Sequence, residues 1–280
     1  MKKLLSVQWL ISSVMLIAAA CAPLTAQATT PVPSRESLPT VERPARTAVQ
    51  SAFAPGNPTG APLDDILELH TVTFDTADGA TISGELYGSG KTAVIFSMMG
   101  NCKPGWREFA QTTAAQGFLA LTYPWRGCRA GSVDEVLIQK FLEDTRAAIT
   151  FVREQGAEKI ILVGASLGGC ASAKLAVESQ ASGVVILASP PLISQWGFEI
   201  QSADLDTDIP KLFITAENDK TVPASATREL YDLAAEPKEW QTYPGSAHGT
   251  DLFEGENGTE LQQRILDFIQ MIATKRKSSE

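Results

Sequence analysis

Histidine is scarce in this sequence: two residues, His70 and His248, among 280. A centre built from several imidazoles is excluded, and chemistry that needs a histidine base has two positions to choose from. Cysteine is almost as sparse. Of four, only Cys102, Cys128 and Cys170 lie beyond the N-terminal segment. Their spacing matches no zinc pattern, so neither a metal nor a cofactor is expected. Positive charge is the next deficit, 23 Lys and Arg against 32 Asp and Glu, for a net charge of -9. Basic residues cluster only at Lys275-Arg276-Lys277. Nucleic acid is not an expected partner, and the acidity disfavours large polyanionic substrates. Long apolar runs are missing too: Leu10 to Ala20 is too short to span a bilayer and contains Ser12 and Ser13.

That short run has another reading. A basic Met1-Lys2-Lys3 start, an apolar stretch and small residues form a secretory signal. Two processing sites compete. Ala26-Gln27-Ala28 would end a signal peptide at residues 1–28 and leave Thr29 first. Ile17-Ala18-Ala19-Ala20-Cys21 resembles a lipobox, with Ala18 where leucine is usual, and would leave Cys21 lipidated. The expected location is secreted, periplasmic or lipid-anchored to a bacterial envelope. Losing Lys2 and Lys3 takes the net charge from -9 to -11. Residues 29–65 hold Pro31, Pro33, Pro39, Pro44, Pro55, Pro58 and Pro62 among Ser, Thr, Ala and Gly, with no apolar period. They read as an extended tether. Residues 66–280 remain, enough for one domain with a full core.

Within that domain, strands alternate with helices. Leu69–Phe74 and Ala80–Tyr87 alternate around Asp78-Gly79 and pair as a hairpin. Strands follow at Thr92–Ser97, Gly117–Thr122, Lys159–Val163, Gly183–Ala188, Pro210–Ala216 and Glu239–Tyr243. Helices are expected over Lys103–Gln116, Val133–Gln155, Pro223–Ala235 and Thr259–Thr274, with one more after Ser166. This order gives an α/β fold: a mainly parallel sheet of about eight strands with helices on both faces.

One stretch organises the chemistry. The apolar strand Ile160–Val163 runs into Gly164-Ala165-Ser166-Leu167-Gly168, a G-x-S-x-G match, and then into a helix. Such a strand–turn–helix holds a serine hydroxyl at the sheet edge as a nucleophile. His248, in Pro244-Gly245-Ser246-Ala247-His248-Gly249, follows the last strand and so reaches the same edge as a candidate base. His70 reads as structural or exposed. Asp219 lies three residues past the Leu212–Ala216 strand, with Glu217 its nearest rival. Asp204, Asp206 and Asp208 precede that strand, and Asp251 is too near His248 along the chain. The order Ser166, Asp219, His248 is nucleophile, acid, base.

These three motifs resemble those of the α/β-hydrolase superfamily, over about Leu69 to Ile272. The chain is similar to its dienelactone-hydrolase-like and small serine esterase branch, although some dienelactone hydrolases use a cysteine where Ser166 stands. The resemblance implies the triad Ser166, Asp219 and His248, and an oxyanion hole made of two backbone N–H groups. One is that of Leu167, at the start of a helix. The other comes from the loop after the third strand, where Met99-Gly100 replaces the family's His-Gly. Asn101 is the first choice there, with Met99 and Cys102 as alternatives. In the family's strand order the third and fourth strands are neighbours. The loops bearing Cys102 and Cys128 would then be close, and export would permit a disulfide. Cys170 reads as a small buried residue, and the loop Tyr123–Ser132 as support at the pocket rim.

Between the sixth and seventh strands lie only about twenty residues, Pro190–Ile209, too few for a large lid. Met99, Trp196 and Phe198 are the candidate substrate contacts. Trp196 and Phe198, with Pro191, Leu192 and Ile193, either form an apolar wall or simply cover the core. The expected activity is hydrolysis of small carboxylic esters or thioesters through an acyl-enzyme. A peptidase, lactonase or polyester hydrolase would use the same triad. A surface-anchored binding protein without catalysis is the alternative from another class.

Overall fold

The computed structural model describes residues 69–129 and 132–275. The signal segment 1–28, Cys21 and the tether 29–65 lie outside the described residues, as do Ala130, Gly131, Arg276 and Lys277. Among the described residues, no helix is long and apolar enough to cross a membrane.

The opening hairpin pairs β1 (His70–Asp75) with β2 (Thr81–Tyr87), Phe74 opposite Ile82. Its turn is local chemistry: the Thr76 hydroxyl donates to Asp78 Oδ1 at 2.6 Å, and Gly79 supplies a φ of +83. Six more strands complete the sheet: β3 (Thr92–Ser97), β4 (Leu119–Tyr123), β5 (Lys159–Ala165), β6 (Gly183–Leu187), β7 (Lys211–Ala216) and β8 (Lys238–Tyr243). Their order is β1-β2-β4-β3-β5-β6-β7-β8, and every pair from β4 onward is parallel.

The central strands are apolar throughout because both faces are covered. Alternation along β3 and β5 sends Ile95 and Leu162 to one core, and Val94, Phe96, Ile161 and Val163 to the other. The first core is covered by α2 (Phe141–Glu154), α3 (Leu167–Leu175) and α4 (Ala224–Leu233). The second is covered by α1 (Arg107–Ala115) and α5 (Gly258–Thr274), through Phe109, Ala110, Leu261, Ile265 and Phe268.

Two helices are shorter than expected. α1 begins at Arg107, not Lys103. The Trp106 indole N–H reaches back to the Ser97 carbonyl at 2.9 Å, and Gly105 lies so close to Thr250 that a Cβ there would overlap its side chain. These contacts hold Pro104 and Gly105 outside helical geometry. The stretch from Val133 is not one helix either. Val133 pairs with Cys128 in a two-residue ladder, Glu135–Lys140 is a 3-10 turn, and the α-helix starts at Phe141.

The parallel register aligns the carboxyl ends of the strands. Ser97 stands beside Tyr123 and Gly164, Ala165 beside Leu187, and Ala216 beside Tyr243. The loops bearing Asn101, Ser166, Asp219 and His248 therefore leave from one edge.

Candidate active site

Ser166 sits at the sharp turn between β5 and α3 with φ 53 and ψ -121, a conformation L-residues rarely hold. Backbone hydrogen bonds enforce it. The Ser166 N–H donates to the Leu187 carbonyl at 2.8 Å, and its own carbonyl accepts from the Cys170 N–H at 3.0 Å and the Ser189 hydroxyl at 2.9 Å. The flanking glycines are steric necessities. A Cβ on Gly164 would stand 2.1 Å from the Gly168 carbonyl oxygen, and one on Gly168 would stand 2.2 Å from that of Ser97. The helix thus starts directly on the carboxyl end of β3, and Ser166 stays partly exposed between buried neighbours.

The acid is held as firmly. Asp219 is buried, and its Oδ1 accepts the N–H groups of Thr221 at 2.8 Å and Val222 at 3.0 Å. Its Oδ2 lies 2.8 Å from His248 Nδ1. These contacts to one carboxylate fix its orientation. With Nδ1–H directed at Asp219, the His248 Nε2 lone pair is the one available for proton transfer. The two loops are also joined through backbone: Glu217 N–H to the Tyr243 carbonyl at 2.9 Å, and Asn218 N–H to that of Gly245 at 3.0 Å. Glu217, the rival acid, is spread on the surface. Asp204 pairs with Lys174, and Asp251 with Lys103.

What packs the His248 loop onto the turn holding Ser166 is Gly249, a residue the sequence reading did not single out. It has φ +57, and a Cβ there would stand 3.4 Å from the Ala165 Cβ and 2.4 Å from Met99 Sδ. The residue after the base thus packs on the residue before the nucleophile. Only a glycine lets the loop come so close. Met99, expected as a substrate contact, is buried beneath this loop, with the Thr250 hydroxyl 3.9 Å from its sulfur. Its side chain positions the base loop instead of facing a ligand.

The fold is similar to that of other solved structures. The esterase domain of a Rhodothermus marinus protein matches at a TM-score of 0.59 with 19% identity, over 73% of this chain and 98% of that one. The Pyrococcus furiosus esterase Pf2001 matches at 0.60 with 17% identity, over 77% and 96%. A putative aryl esterase from Burkholderia cenocepacia matches at 0.60 with 15% identity, over 74% and 100%. The chain has the α/β-hydrolase fold.

No family model matches this chain. Among curated proteins, the uncharacterized protein YfhR of Salmonella typhi is 24% identical over 265 residues, 80% of this chain and 89% of the relative. The YfhR of Salmonella typhimurium matches equally.

The candidate oxyanion loop is a tight turn. The Cys102 N–H donates to the Met99 carbonyl at 3.1 Å, which removes Cys102 from the possible donors. That bond does not engage the N–H of Asn101, at the exposed tip of the turn. The Asn101 side-chain oxygen accepts the Lys103 N–H at 3.1 Å. Gly100 lies on Leu167: a Cβ there would be 3.4 Å from its Cδ2 and 3.6 Å from the far edge of the Trp196 ring. In α3 the first intrahelical bond uses the Cys170 N–H, so that of Leu167 precedes the ladder.

Trp196 is half-buried beside this turn and borders a groove of about 360 Å³ lined also by Val136, Ile138 and Gln195. Phe198 does not join it. It is 6% exposed and packs in the core, opposite Ile193 in a two-residue ladder. Gly197, at φ 63, reverses the chain between the two rings. Cys170 is also in the core, its thiol directed at the Pro190 carbonyl, and burial pushes its pKa well above the ordinary range. Among the described residues, no cluster of His, Cys, Asp and Glu could hold a metal ion.

Proposed function

We propose that this chain is a serine hydrolase that cleaves small carboxylic esters or thioesters through an acyl-enzyme. The observation that carries the reading is the Asp219–His248 pair, at 2.8 Å, whose loop is packed through Gly249 onto the turn holding Ser166. Similarity to proteins named as esterases supports it at the level of the fold.

His248 Nε2 takes the Ser166 hydroxyl proton as Oγ forms a bond to the substrate carbonyl carbon. The carbonyl oxygen becomes an oxyanion, which accepts hydrogen bonds from the Leu167 and Asn101 N–H groups. Imidazolium then gives its proton to the leaving oxygen or sulfur as that bond breaks. Water repeats the sequence on the acyl-enzyme, with His248 again as base, and frees the acid. Asp219 stabilises the imidazolium and keeps Nδ1 protonated.

The Cys102–Cys128 disulfide supports the exported location, since such bonds persist in oxidising compartments. A fluorophosphonate probe tests the class of reaction. The wild type is expected to label and Ser166→Ala is not. Equal labelling of both would discard the reading, as would silence of the wild type. Nitrophenyl esters beside a peptide anilide separate esterase from peptidase.

A further inference from the structure

The Cys102–Cys128 disulfide joins two loops that are anchored by different contacts. Cys128 belongs to a fixed platform. Trp125 is buried against Phe141, with ring centroids 5.7 Å apart. The Arg126 N–H and Nε donate to buried Asp144 at 2.7 and 2.6 Å. The Cys128 N–H donates to the Trp125 carbonyl at 2.8 Å, and Cys128 pairs with Val133.

The other partner stands on the turn Met99–Cys102. That turn is buried at Met99 but exposed at Asn101, and Cys102 itself holds φ 62, where a non-glycine residue is disfavoured. Its remaining ties on that side are the Asn101–Lys103 contact and solvent-exposed ion pairs from Lys103 to Asp251 and Glu254. Exposed pairs of this kind contribute little. The covalent link adds to the Cys102–Met99 hydrogen bond that closes the turn, and it ties the turn to the Cys128 platform, with Asn101 the adjacent residue.

Building on the esterase reading, we infer that the Cys102–Cys128 disulfide is a positioning element for catalysis: it holds the Asn101 N–H at the oxyanion. An oxyanion donor acts on the tetrahedral state more than on bound substrate, so loosening it lowers kcat and leaves KM nearly unchanged. Complete loss of such a donor lowers kcat by about 10²–10³-fold. A donor that is present but mobile loses part of that, about 10–100-fold.

The test uses the mature protein with p-nitrophenyl acetate as substrate and a trifluoromethyl ketone as inhibitor. The inhibitor's hemiketal with Ser166 bears the same oxyanion. Dithiothreitol reduces the link by two electrons: the S–S bond breaks, each sulfur ends as a thiol, and dithiothreitol becomes its cyclic disulfide. Reduction is expected to lower kcat about 10–100-fold, change KM less than about twofold, and weaken the ketone in parallel with kcat. Reoxidation restores all three. The double variant Cys102→Ser/Cys128→Ser should match the reduced protein and be indifferent to dithiothreitol.

A purely structural bond would lower the thermal midpoint and leave kcat of the folded fraction and ketone affinity unchanged. That result overturns the inference, as does a change in KM alone. Should the double variant not fold, the reduction and reoxidation cycle on the wild type decides. Fluorophosphonate labelling of the disulfide-bonded protein separates the two levels. Without it the esterase reading fails, and the inference with it. With labelling but no response to reduction, only the inference fails.

Discussion

Asp219 has no spare acceptor geometry: one oxygen is occupied by two backbone N–H groups and the other faces His248. Replacing it by asparagine keeps the shape but can direct an amide donor at Nδ1, which favours the wrong imidazole tautomer. Asp219→Asn is expected to lower kcat on a nitrophenyl ester by about 10³–10⁴-fold with little change in thermal midpoint. The glycines answer to a different readout. Gly168→Ala drives a methyl group into the Ser97 carbonyl, so the variant should lose soluble, folded yield before any kinetic effect is measurable. The three candidate residues stood out in sequence because each lies one to five residues past a strand end, and strand ends are marked by apolar runs. Gly249 did not, because its necessity arises from Ala165 and Met99, residues remote in the chain. Of the two readings left open for Phe198, the structure gives core cover, and left-handed Gly197 reverses the chain between it and Trp196.

Among the elements, the loop Tyr123–Cys128 depends most on charge. Arg126 joins three parts of the fold: its own loop, α2 through buried Asp144, and the opening hairpin through Asp78 at 2.7 Å. Burial raises the Asp144 pKa, an effect Arg126 opposes. Arg126→Ala leaves that carboxylate buried without its cation, and roughly 3 kcal/mol of stability should be lost in chemical denaturation. The Asp78 carboxyl is held well below its usual range, chiefly by the Arg126 guanidinium. A depressed acid contributes stability above its unfolded value of about 4 and loses that contribution as pH falls towards the folded one. Thermal midpoints of the wild type should therefore fall on acidification below about pH 4, with a shallower contribution from this site in Arg126→Ala. The helix expected from Val133 was misread at this same junction. Its apolar spacing continues through Val136 and Leu137, but the ladder with Cys128 captures Val133 for the loop.

At the scale of the molecule, the site lies on an edge with little above it. The segment between β6 and β7 forms one two-residue ladder, a 3-10 turn and one helical turn, Ser202–Leu205. Short acyl esters should give the highest kcat/KM in a chain-length series, since nothing large among the described residues encloses a long chain. Trp196→Ala, which opens the way to the groove beside Val136, should shift the preference towards longer chains in the same series. The sheet was legible strand by strand, because burial on both faces writes continuous apolar runs. The disulfide was legible only as a possibility implied by the resemblance, because sequence does not give the distance between the two cysteines, and the structure contains it.

The strand order also has a temporal meaning. Apart from the exchange of β3 and β4, position along the sheet follows position along the chain. A polypeptide leaving the ribosome can therefore lay each new strand against one already in place. Ser166 emerges with the fifth strand, while Asp219 and His248 come with the last two. His248 is 82 positions later than Ser166. At about 5–20 residues per second, Ser166 precedes His248 by several seconds. On the serine-hydrolase reading proposed above, a prematurely terminated chain therefore carries Ser166 without the Asp219–His248 pair that would activate it.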